Sequence, residues 1–165
     1  MIVVRLMGGL GNQLFQYAAG RHLAHLNNVE LFVDTSFLQT SIENTTLRNY
    51  ELGAFNVACK IADEKMLHDF HGCDFSTKER ILTKLISFGN KNKYKFDEYG
   101  FDEHLLELKG NYYIRGYFQS EKYFKSIANI IRKELSIKDE FMPKDSALIQ
   151  QIINTNSVSV HIRRG

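Results

Sequence analysis

The sequence predicts an α/β fold built on a parallel sheet, and three stretches carry that expectation. Ile2-Val-Val-Arg-Leu6 is an apolar, β-branched run. It passes through Met7-Gly-Gly-Leu-Gly11 into a segment with helical spacing. A second apolar run over 29–34 completes strand, helix, strand in about thirty residues, the signature of a βαβ unit with a right-handed crossover. The third is Asn111-Tyr-Tyr-Ile-Arg-Gly-Tyr-Phe118, β-rich and followed by Ser120, a good N-cap for another helix.

Taken in order, the first helix is expected over 12–26. Leu14, Phe15, Ala18, Ala19, His22, Leu23 and Leu26 fall on its apolar stripe, with His22 a core-edge residue and not a ligand. The strand at 29–34 ends on Asp34, expected to be a strand-end or turn carboxylate. From 35 to 60 the periodicity is weak. Helical spacing returns at 61–70 and 78–87, separated by a stretch with none. Asn90-Lys-Asn-Lys93 reads as a solvated turn, and 94–104 gives no assignment. The helix opened by Ser120 carries Tyr123, Phe124, Ile127, Ile130, Ile131 and Leu135 on one side. Pro143 marks a break, a last helix covers about 146–154, and 158–162 reads as a strand.

Composition excludes several classes. The 165 residues are enough for one real core, and 44% apolar with 24% charged residues is ordinary for a globular protein. The 21 basic and 19 acidic side chains leave a net charge of +2, which asks for neither nucleic acid nor an anionic surface. No run reaches the apolar length of a membrane span, and Met1-Ile-Val-Val-Arg5 lacks a signal-peptide pattern. Cytosol is the expected location, which leaves the sequon Asn44-Thr45-Thr46 unglycosylated. Cys59 and Cys73 form no disulfide framework. Together with His68 and His71 they match no paired-ligand spacing, and there is no Asp-x-Asp, so no metal is expected.

The glycine loop holds the strongest chemistry. A strand, a glycine turn and a helix N-terminus converge backbone N–H groups on an anion or a sugar hydroxyl. Gly8, Gly9 and Gly11 permit close approach, and Asn12 and Gln13 are expected to set two amides at its mouth. A dinucleotide fingerprint would need a third glycine where Leu14 stands, and a Walker loop would need Gly-Lys-Ser/Thr. A plain connecting turn is the remaining alternative. At the other end, Val158-Ser-Val-His-Ile-Arg-Arg-Gly165 carries adjacent arginines off a strand end, where ligands bind in open α/β sheets. Each guanidinium presents a planar fork suited to pyrophosphate oxygens.

Those two motifs resemble glycosyltransferase family 11, the α-1,2-fucosyltransferases. Gly116-Tyr-Phe-Gln-Ser-Glu-Lys-Tyr-Phe124 is similar to the same family, as, less sharply, is Tyr50-Glu-Leu-x-x-Phe55. The motifs fall in the family's order along the whole chain. The family's pattern continues the last one with an acidic residue and then a second Rossmann-like domain, so the chain is expected to be an N-terminal portion.

The resemblance implies a Rossmann-like N-terminal lobe of a GT-B-type enzyme, with 1–155 the acceptor-side lobe and 156–165 the start of the donor-binding lobe. It implies transfer of L-fucose from GDP-β-L-fucose to the 2-hydroxyl of a galactoside, with inversion and without a required metal. Arg163 and Arg164 would hold the leaving diphosphate, with Arg163 the β-phosphate partner. His161, on the Arg163 side of the strand, would support it. Gly11, Asn12 and Gln13 would lie across the cleft near the donor, with Glu121 and Asp34 as fallback carboxylates. This chain alone is expected to be inactive, to self-associate through its last strand, and to leave room for peripheral membrane association. An unrelated NAD-type nucleotide domain and a non-catalytic interaction module are the competing readings.

Overall fold

The computed structural model describes residues 1–39, 47–71, 92–96, 100–142 and 146–162. Five strands form one sheet: β1 (Ile2–Arg5), β2 (Leu31–Asp34), β3 (Lys60–Ile61), β4 (Asn92–Lys95) and β5 (Tyr112–Arg115). Their order is β3-β2-β1-β5-β4, and every pairing is parallel. Ile2, Val3 and Val4 are wholly buried, as an apolar run must be in a strand covered on both faces.

Alternation assigns the two faces. Ile2, Val4 and Ile114 pack with Tyr17, Ala19 and Leu23 of α1 (Leu10–Asn27), while Val3 and Tyr113 pack with Ala62 and with Phe70 of α2 (Glu64–His71). Helices therefore flank the sheet, which makes this a Rossmann-like α/β lobe. Among the described residues, the remaining α-helices are α3 (His104–Glu107), α4 (Ala128–Glu134) and α5 (Ser146–Ile153). Among the described residues, no helix is long and apolar enough to cross a membrane.

Four expectations need correction. Asn92 and Lys93 belong to β4, paired with Tyr112 and Tyr113, and not to a turn. As an edge strand, β4 takes its pairing from backbone groups, and its exposed lysines suit an edge. The inner face of α1 includes Gln13 and Gln16, both wholly buried, whereas Leu26 is 41% exposed. The helix expected after Ser120 is broken into two 3-10 turns, Glu121–Tyr123 and Lys125–Ile127, ahead of α4. Finally, 157–162 forms no strand, and Val158, Val160 and Ile162 are 76–86% exposed. Their alternation has no sheet partner within the described chain. The helix expected at 78–87, the break at Pro143, and Cys73 lie outside the described residues.

Candidate functional site

The chain leaves β1 for β2 and β3 on one side of the sheet, while β5 and β4 lie on the other. The carboxyl ends of β1 and β5 thus flank a topological switch point, where crevices form in open α/β sheets. Two loops meet there. Gln119, on the segment after β5, donates its amide to Asn12 Oδ1 at 2.7 Å, closing the β5 loop onto the glycine loop after β1.

Each loop has a local reason for its shape. Gly8 has φ +77°, and a Cβ there would lie 2.3 Å from Asn12 Nδ2. Gly9 is the N-cap of α1, and its carbonyl accepts from the Asn12 and Gln13 amides at 3.0 and 3.1 Å. The Leu10 and Gly11 amides point out of the first turn, as helix N-termini require. A Cβ on Gly11 would meet nothing within 4 Å, so the loop is open to solvent at that residue. The Arg48 side chain is exposed, and its guanidinium reaches to 4.0 Å from the Cβ position of Gly9. With no acidic residue in the first turn of α1, that helix end is electropositive.

Gln13 is not at the mouth of the loop. It is wholly buried, donating to the Gly8 and Asn49 carbonyls at 3.1 and 2.8 Å and accepting from the Glu51 amide at 3.0 Å. Its amide ties the glycine loop to the segment around Tyr50, so Gln13 shapes the loop from beneath. Gln16 works beside it, with Oε1 accepting from the Met7 amide at 2.9 Å. Asn12 is only partly buried, with Oδ1 held by Gln119 and Nδ2 close beneath Gly8.

The Gly116–Ser120 loop is equally determined. A Cβ on Gly116 would sit 2.8 Å from the Phe118 ring and 2.9 Å from the Phe96 carbonyl. Phe118 adopts φ +50°, a strained conformation for an aromatic residue, and buries its ring edge-on against Tyr123 at 5.5 Å. That geometry turns Gln119 toward Asn12. Ser120 then accepts from the Lys122 amide at 3.3 Å, the expected cap on a 3-10 turn.

His22 is a satisfied core-edge residue: Nδ1 lies 2.5 Å from the Tyr123 carbonyl and Nε2 2.8 Å from Ser126 Oγ. Asp34 is wholly buried and accepts from the Ser36 amide at 2.9 Å and the Tyr113 hydroxyl at 2.6 Å, the turn role its position suggests. Glu121 is exposed at the start of its 3-10 turn, and His161 is exposed on the unpaired tail. Arg163 and Arg164 lie outside the described residues. Gly11, Asn12 and Gln13 therefore lie together in the first turn of α1, and among the described residues no contact joins that turn to His161. Cys59 is partly buried, and burial pushes its thiol up to about 11.

Sequence reasoning missed Gln119, Arg48 and Gly20. Gln119 follows a strand end and so had a positional signal, whereas Arg48 had none. Gly20 does the helix-packing work of the glycine absent at Leu14. A Cβ there would stand 3.1 Å from Leu31 Cδ1 and 3.2 Å from Val4 Cγ1, bringing α1 close to the sheet. Among the described residues, surface grooves also lie elsewhere. One, of about 430 Å³, is bordered by Arg21, Glu30, Cys59 and Lys60, another, of about 390 Å³, by Asn56, Lys133 and Glu134.

Fold and site together describe a Rossmann-like lobe with a glycine loop and helix N-terminus at its switch point. The chain is similar, at 30% identity over 173 aligned positions, to the O-antigen biosynthesis glycosyltransferase WbnK of Escherichia coli, covering 97% of this chain and 57% of that protein. It is equally 30% identical to an alpha-1,2-colitosyltransferase of Escherichia coli, covering 100% of this chain and 54% of the relative. The chain thus spans little more than half the length of these relatives. No family model matches it. No solved structure matches it.

Proposed function

We propose that this chain is the acceptor-side lobe, 1–155, and the first residues of the donor-binding lobe, 156–165, of a GT-B-type inverting glycosyltransferase of family 11. The reaction is transfer of L-fucose from GDP-β-L-fucose to the 2-hydroxyl of a galactoside. The observation that carries this reading is similarity over essentially the whole chain to two glycosyltransferases, one of them named for an α-1,2 linkage. The loop pair at the switch point supports it.

In this mechanism the acceptor oxygen attacks the anomeric carbon of fucose as the bond to the β-phosphate oxygen breaks, so a β donor yields an α product. The leaving GDP gains negative charge, which needs fixed cations in the absence of a metal. Arg163 contacts the β-phosphate and Arg164 orders the strand end or the second phosphate, with His161 supporting Arg163. Gly11 and Asn12 face the donor sugar or diphosphate, held in place by Gln13 from below. The acceptor proton passes to the acidic residue that the family's pattern places after Gly165. Asp34 is a poor base because it is buried and engaged by Ser36 and Tyr113. The enzyme works in the cytoplasm, with peripheral association at the inner face of the membrane.

The test is GDP release from GDP-fucose with a panel of β-galactosides, using this chain and a version extended to the length of the relatives. Turnover by the extended protein alone, unchanged by EDTA, supports the assignment and marks 1–165 as an inactive portion. The colitosyltransferase relative favours one second reading, a colitose donor, which GDP-colitose in the same assay separates from fucose. Silence with both donors across the panel overturns the transferase reading.

A further inference from the structure

Among the described residues, three buried side-chain polar atoms have no hydrogen-bond partner: Arg5 Nε, Arg115 Nε and Gln16 Nε2. All three are donors. Two of them lie at the carboxyl ends of adjacent strands, and the third, on α1, lies on the other face of the sheet. Arg5 closes β1, Arg115 closes β5, and Gln16 is bonded to the Met7 amide just past β1. Orphaned buried donors are uncommon, and the two arginine donors, at adjacent strand ends on one face, ask for an acceptor that binds there.

The register brings the two arginines together. Ile2, Val3 and Val4 pair with Tyr112, Tyr113 and Ile114, and Arg5 and Arg115 are the next residues on these adjacent strands. Arg5 shares the face of Val3 and Arg115 that of Tyr113, which is the α2 face, opposite α1. Lys95 is the register partner of Arg115 on β4, extending the row of cations. Arg5 stacks on the Phe37 ring at 4.5 Å, which holds its guanidinium in one plane. Asp34, the register partner of Arg5 on β2, directs its carboxylate to the Ser36 amide and the Tyr113 hydroxyl. Among the described residues, no carboxylate forms an ion pair with either guanidinium.

Two like-charged side chains on one face, each with a buried Nε that has no partner, carry two costs: repulsion and incomplete hydration. An oxyanion relieves both problems by accepting from the two planar forks at once. We propose that Arg5 and Arg115 form a phosphoryl-binding site at the carboxyl edge of the sheet, on the face away from α1. The proposal stands independently of the transferase reading.

The test uses inorganic pyrophosphate and the chain labelled with nitrogen-15, following the arginine Nε–H resonances. The expected result is saturable shifts at Arg5 and Arg115 that weaken with added salt, while acetate at the same concentration leaves them in place. Arg5→Gln and Arg115→Gln should each weaken pyrophosphate binding at least tenfold by calorimetry, and Lys125→Gln should leave it unchanged. Arg5→Lys and Arg115→Lys keep charge and stem but lose the fork. They should weaken binding with an unaltered melting temperature, which covers the case in which the glutamine variants fail to fold. The proposal is overturned if pyrophosphate moves neither resonance. It also fails if Arg163→Gln/Arg164→Gln abolishes binding while the Arg5 and Arg115 variants retain it.

Discussion

Gly8 has to be glycine for two reasons, its positive φ and the Asn12 amide that occupies the space of a side chain. Gly8→Ala is expected to cost about 1–2 kcal/mol from the left-handed backbone, read by urea denaturation. It should also displace Asn12 from Gln119, so in the extended protein the loss of activity exceeds what stability explains. His22 carries a pH signature. Burial lowers its pKa below the usual value near 6.5, with the Tyr123 carbonyl partly opposing. The neutral ring is therefore the folded form. Its contribution is complete above pH 6.5 and is lost as the pH falls from there through the lower folded value. Melting temperature should drop across that window, and by less in His22→Gln. At this scale the glycines were legible from residue type alone. Gln13 was not, because nothing local distinguishes an amide that lines a crevice from one that braces a loop.

Among the elements, α1 and α4 are joined by a polar clamp. Glu134 accepts from the Tyr17 hydroxyl at 2.6 Å and pairs with Arg21 at 3.0 Å, while the Tyr17 oxygen accepts from the Ala58 amide at 2.9 Å. The Arg21 and Glu134 side chains are only 21% and 13% exposed. Removing the carboxylate strands a largely buried cation and a hydroxyl, so Glu134→Ala should destabilise the lobe by roughly 3 kcal/mol, measured by denaturant unfolding. Glu134→Gln should cost less, because it keeps an acceptor for Tyr17. The strands β1, β2 and β5 and the helix α1 were legible from periodicity, since burial on a sheet imposes it. The edge strand β4 was not, because backbone pairing alone makes it a strand. The helix after Ser120 was overextended for a related reason. Its apolar spacing continues through Phe124, but Phe124 sits at φ −140° and ψ 12°, where packing of Phe15 against its ring interrupts the regular turn.

The molecule as a whole exposes a run of apolar side chains beyond the lobe: Ile152, Ile153, Val158, Val160 and Ile162 are each more than half exposed. Alternating apolar residues without a sheet partner favour pairing with another chain. Sedimentation should therefore show concentration-dependent association of the 165-residue chain, suppressed by Val160→Lys/Ile162→Lys, whereas a compact monomer at all concentrations would refute it. The sequence by itself determined that β-strands and a glycine-led helix alternate, that their sheet is parallel, and that a glycine loop follows β1. Periodicity and glycine placement are local properties, and local properties are written in the chain. Only the tertiary structure decided that β5 inserts beside β1 to create the switch point, that Gln119 meets Asn12 across it, and that Arg5 and Arg115 end adjacent strands on one face. Those depend on strand order and register, which arise from long-range burial and backbone pairing between segments more than a hundred residues apart.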